Sequence, residues 1–187
     1  MSKKLSSQFE NNRQCILKTA SKLFYEKGIS ATSFSDISKA VKLSKGTIYY
    51  YYPSKDHLIF EVTEYHLNQI SNRIFAWIDT INSQTAIQDS LIMLIQSVFD
   101  TVDKCRLHIC LLSYSIMGND LIQNTIKEMI SKWHTMVEIG LVKIGCANPK
   151  RIAQAVFLSL DSIIINRIMG TMDMSEQDIG AYIALNV

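Results

Sequence analysis

Between Pro53 and Pro149 the chain runs for about half its length without a proline, and apolar residues recur there at helical spacing. No segment alternates apolar and polar residues in the manner of a half-buried strand. These two facts confine the chain to an all-α fold, with about nine helices marked by their own start and stop signals. Residues 9–27 carry Ile16, Leu17, Ala20, Leu23 and Phe24 on one face and end at Gly28. Ser33 and Asp36 form a capping-box pattern ahead of Phe34, Ile37 and Val41. Ser44 can N-cap a short helix over 45–51, which Pro53 stops because the residue before a proline is pushed out of the α region.

The remaining helices are longer. Ser54 can cap a helix over 54–80, and further helices are expected over 85–102, 105–117 and 119–145. Asn148-Pro149 is a start signal for 149–169, which is apolar on nearly every side, and Ser175 with Asp178 starts a last helix over 176–186. With 187 residues, 48% of them apolar, a sizeable core is available. The start of the chain lacks the apolar stretch of a secretory signal. The richest apolar run is broken by Ser159, Asp161, Ser162, Asn166 and Arg167, so no membrane span is expected. The four cysteines have no disulfide-framework spacing. A soluble cytoplasmic protein with free thiols is expected.

Charge is distributed unevenly. Residues 1–60 hold ten basic against four acidic side chains, whereas the whole chain is +2, so the remainder is net acidic. A basic first third on an acidic body suits a polyanion-binding head, although an ordinary solvated face has the same composition. Three short helices followed by a long one, with the turn VKLS between the second and third, describe a helix-turn-helix. Ile37, Leu43 and Ile48 would lock its two helices together, and KGTIYYY would be the recognition helix.

From Arg13 to about Val62, roughly a quarter of its length, the chain resembles the TetR family of transcriptional regulators. The resemblance rests on the pattern R..IL..A..LF..KG...TS..DI from Arg13 to Ile37, followed by LSKGTIYYYYPSKDHL. It implies a DNA-binding domain over 1–53 and a ligand-binding and dimerisation domain over 54–187, with helix 54–80 joining them. It also implies that Lys45, Gly46, Thr47 and Tyr49 approach the major groove: Gly46 by its bare backbone, Lys45 toward guanine acceptors and Thr47 toward a thymine methyl. Tyr49, Tyr50 and Tyr51 can offer phenolic donors to phosphates, and Lys55 can neutralise another. Thr32, Ser33 and Ser44 sit at helix starts, where a hydroxyl and backbone N–H groups suit a phosphate oxygen or simply cap the helix. Tyr52, four residues after Ile48, should pack into the head. Where the family usually has glycine in the turn this chain has Lys42, so a left-handed backbone there carries mild strain.

The resemblance further implies a repressor that a small molecule releases from a near-palindromic operator. A helix apolar all round needs cover all round, so a homodimer through 149–169 and 176–186 is expected. Candidate effector contacts are the polar residues His108, Tyr114, His134, Asp161 and Asn166 and the wall residues Met93, Phe99, Met117, Trp133 and Met136, although each taken singly fits a core role better. Asp161 suits either the pocket or the dimer seam. Cys105, His108 and Cys110 do not share one helix face, so neither metal nor cofactor is expected. No nucleophile, base and orienter assemble, and an enzyme is not expected. A structural DNA-binding protein with the same head and no inducer is the alternative.

Overall fold

The computed structural model describes residues 2–98, 101–171 and 175–186, and among these it contains nine helices and no strand. They are α1 (Ser2–Lys27), α2 (Phe34–Val41), α3 (Lys45–Tyr51), α4 (Lys55–Thr80), α5 (Ile87–Val98), α6 (Val102–Ile116), α7 (Asp120–Lys143), α8 (Pro149–Met169) and α9 (Glu176–Asn186). The caps explain most boundaries. Ser33 and Asp36 form the reciprocal capping box of α2. Ser44 accepts from the Thr47 N–H at the start of α3, and Ser54 does the same for His57 at α4. Asn119 accepts from the Ile122 N–H at α7, and Ser175 pairs with Asp178 at α9. Asn148 precedes α8 without a side-chain capping bond, so Pro149 at the first helical position marks that start instead.

Two boundaries correct the sequence reading. Helix α1 begins at Ser2 rather than near residue 9, adding about two turns at the start of the basic head. The described part of α5 ends at Val98, and Val102 already belongs to α6. Phe99, an expected pocket wall, lies outside the described residues.

The helices form two compact units. One comprises the chain up to His66 together with Leu107–Gln123; the other comprises Leu67–Arg106 and the described residues from Asn124 onward. The first unit is built on Ile16, Phe24, Ile37, Ile48, Tyr52 and Leu58, all essentially inaccessible. Arg13 on α1 reaches Glu61 on α4 at 2.7 Å, and Lys27 pairs with Asp36 at 3.7 Å. Within this unit α4 and α6 also share a buried imidazole pair, His66 Nε2 to His108 Nδ1 at 3.1 Å. Burial alone pulls His108 down to about 4, which keeps that ring neutral.

In the second unit, two glycines allow close approach. A Cβ at Gly140 on α7 would lie 2.3 Å from the Trp77 ring of α4, and one at Gly180 on α9 would lie 2.5 Å from Ile92 of α5. Trp77 is fixed further by its Nε1–H, which donates to the Ser90 carbonyl at 2.8 Å. Helix α8 buries Ile152, Ala153, Val156, Leu160, Ile163 and Ile164 and leaves Leu158, Ile165 and Met169 exposed. By length and composition α8 meets the requirement for a membrane span, which the sequence reading had not anticipated, yet one face of it is buried within the protein.

Candidate nucleic-acid interface

The recognition helix is held by two residues on one side. Ile48 and Tyr52 are both 0% exposed, four positions apart, and they anchor α3 against the rest of the head. The Tyr52 hydroxyl reaches toward the Arg13 carbonyl, and burial, reinforced by the Glu61 charge, raises its pKa far above the ordinary phenol value. The opposite side of α3 faces solvent. Lys45 and Gly46 are exposed, Tyr49 is 48% exposed and Tyr50 is 74% exposed. Thr47 is half-buried, with its hydroxyl 2.7 Å from that of Ser44. A Cβ on Gly46 would meet nothing closer than the Ser44 Oγ at 3.8 Å, so nothing inside the protein requires glycine there.

The turn before α3 is tight. Lys42 adopts φ 56 and ψ 37, the left-handed conformation, and the Leu43 N–H closes back on the Ser38 carbonyl at 3.1 Å. The Lys42 side chain is exposed. Lys55, in the first turn of α4, is half-buried and donates to the Ser30 carbonyl at 3.2 Å; partial burial pulls its pKa below the ordinary value. The Ser33 hydroxyl is exposed but engaged by Asp36, whose carboxyl is held below its usual range by the Ser33 hydroxyl and backbone N–H.

Thr32 corrects an expectation. It is 1% exposed, and its hydroxyl donates to the Gly28 carbonyl at 2.8 Å and the Leu23 carbonyl at 3.2 Å. It therefore satisfies carbonyls at the end of α1 and presents no hydroxyl to a phosphate.

Two residues of α1 join this surface without having been anticipated. Phe9, 41% exposed, sets its ring 4.7 Å from Tyr51 and 6.0 Å edge-on from Tyr50. Asn12 Nδ2 donates to the Tyr51 hydroxyl at 3.3 Å. The available signal was spacing: Phe9 precedes Ile16 by seven residues, so the helical face of α1 continues upstream.

The expected effector residues occupy varied surroundings within each unit. His108 is buried against His66, and Trp133 is buried with its Nε1–H donating to the Ser71 hydroxyl at 2.8 Å. Met117 is 86% exposed and Met93 is also exposed. His134 stacks on Phe157 at 4.0 Å, with burial lowering its pKa, and Met136 is half-buried. Asn166 bonds back to Ser162 and on to Thr171, within and just past α8. Asp161 is exposed rather than sunk in a pocket, on the α8 face that carries Leu158 and Ile165; nearby apolar surface raises its pKa. Tyr114 donates to Asp56 at 3.0 Å, which raises the phenol pKa further after burial does so. Beside that bond, within the first unit, Asp56, His57, Phe60, Asn119, Leu121 and Ile122 line an open cleft of about 380 Å³.

Residues 16–62 match the family described as bacterial regulatory proteins, tetR family. The head is a TetR-family DNA-binding domain. Over 65 residues the chain is 38% identical to the uncharacterized HTH-type transcriptional regulator YuxN of Bacillus subtilis, a match covering 35% of this chain and 22% of that protein. The curated relatives are spanned only in part, over 22% to 30% of their lengths. The TetR-family head is continuous with a body of the same fold class as solved regulators. A transcriptional regulator of the TerR/AcrR family from Aquifex aeolicus superposes with a TM-score of 0.70 at 21% identity, covering 92% of this chain and 95% of that one. A protein from Saccharomonospora viridis, solved in complex with choline, gives 0.77 at 18% identity, over 93% and 94% of the two chains.

Proposed function

We propose that the chain is a transcriptional regulator, a dimeric repressor that leaves a near-palindromic operator when a small molecule binds its body. The observation that carries this is α3: anchored on one side by Ile48 and Tyr52, it leaves Lys45, Gly46, Tyr49 and Tyr50 exposed, with Thr47 half-buried among them. Gly46 has open space around it, and a helical glycine costs about 1 kcal/mol relative to alanine. A partner's close approach gives that glycine a purpose. Lys45 and Thr47 read base edges, while Tyr49, Tyr50, Tyr51, Ser44 and Lys55 serve the phosphates. The dimer forms through α8 and α9, where exposed Leu158, Ile165, Met169 and Tyr182 find cover and Asp161 lies at the seam. A small-molecule effector is supported by the shared fold of a protein solved with choline; whatever binds must prefer the released conformation, transmitted along α4. DNA binding places the work in the cytoplasm.

The test is fluorescence anisotropy with a labelled duplex from the region upstream of the gene itself. Affinity should fall steeply as salt rises, because cationic side chains displace condensed counterions. Absence of binding at low salt overturns the proposal.

A further inference from the structure

We propose that the early turns of α1 belong to the DNA-facing surface, where Phe9 and Asn12 hold Tyr50 and Tyr51 as outward-pointing phosphate donors. This rests on reading α3 as the recognition helix. Three rings at the solvent boundary pack on one another: Phe9 on Tyr51 at 4.7 Å, Phe9 on Tyr50 at 6.0 Å, and Tyr50 on Tyr51 at 5.5 Å. The cluster lies at the edge of the protein: Tyr50 is 74% and Phe9 41% exposed, and Tyr51 is half-buried. An exposed phenylalanine adds little to a core; here its ring removes the rotational freedom of two tyrosines that would otherwise be lost on binding.

The hydrogen bonding gives the direction. Asn12 Nδ2 donates to the Tyr51 oxygen, so the phenol accepts on its protein side and its own proton points elsewhere. The Tyr50 hydroxyl has no hydrogen-bond partner among the described residues. Two fixed, neutral O–H donors beside the groove-facing side chains fit phosphate oxygens of a duplex, whose backbone supplies acceptors and no donors. Because the donors are uncharged, they add affinity without releasing counterions, and because they touch backbone they do so for any sequence.

The test compares the full-length wild type with Phe9→Ala, Asn12→Ala and Tyr51→Phe on the upstream duplex and on a shuffled duplex of equal composition. Each variant should weaken both complexes by the same factor, about tenfold for hydrogen bonds to charged oxygens, with an unchanged salt slope. Phe9→Ala placed on Tyr50→Phe/Tyr51→Phe should have little further effect, since the hydroxyls it orients are gone. Melting curves check folding, and Asn12→Ala carries the same expectation if Phe9→Ala does not fold. Unchanged affinity in folded Phe9→Ala or Asn12→Ala, or loss confined to one duplex, overturns the inference. In that case a Lys45→Ala variant that weakens the upstream duplex more than the shuffled one leaves the recognition-helix reading standing. A wild type that binds neither duplex overturns both.

Discussion

Lys42 carries the one positive φ among the described non-glycine residues, 56°, in the turn between α2 and α3. A β-carbon there crowds the following carbonyl, so Lys42→Gly should raise stability by about 1 kcal/mol, read as a higher urea midpoint with an unchanged slope. Asn at the same position, which also tolerates this conformation, should recover part of that gain and separates backbone strain from loss of the lysine charge. The tyrosine run divides as sharply. Tyr52→Ala empties a fully buried site and should cost about 3–5 kcal/mol, whereas Tyr50→Phe should change stability by less than about 0.5 kcal/mol and act on DNA affinity alone. This division was legible in the sequence because Ile48 and Tyr52 are one helical turn apart and Pro53 fixes where the helix stops. Thr32 was not legible. Its hydroxyl is consumed by carbonyls at the end of α1, and no local pattern distinguishes such a threonine from one that caps outward.

At the scale of elements, the capping signals gave boundaries reliably because a cap is a bond over three residues. The environments of the expected effector residues were less legible, because an apolar helical stripe with a few polar residues looks the same whether it faces a cavity, a neighbouring helix or water. His108 illustrates this: its partner, His66, lies 42 positions away on α4. That pair also makes a pH prediction for the packing of α4 against α6. The His108 imidazole titrates near 6.5 when unfolded and at about 4 when folded, so between those values the unfolded chain binds more protons. Stability is therefore fully present above about pH 6.5 and falls as pH drops toward 4, by at most about 3 kcal/mol from this group. His108→Asn keeps an amide able to donate or accept near the position of Nδ1 and does not titrate in this range. Its urea midpoints should be lower at neutral pH but flatter across that window; an acid limb identical to wild type would assign the loss to other groups.

For the whole molecule, the exposed apolar face of α8 sets the expected assembly. Leu158, 75% exposed, should be buried in a dimer, and Leu158→Glu should raise the dimer dissociation constant by about tenfold or more while leaving helicity intact. Sedimentation velocity over a concentration series checks this, and operator affinity should fall with it, because two linked heads bind more tightly than one. A wild type that remains monomeric at every concentration would remove α8 as an interface. The contact between Gly140 and Trp77 has a consequence for heredity. With 2.3 Å between a prospective Cβ and the indole, Gly140→Ala forces the ring aside and should cost about 1–3 kcal/mol. A smaller residue at 77 makes room for that methyl, so the damage at 140 should be partly reversed by a change that is itself harmful in an otherwise unchanged protein. A selection for restored function from Gly140→Ala should therefore return substitutions at position 77, and these two sites should change together or not at all as the lineage diverges.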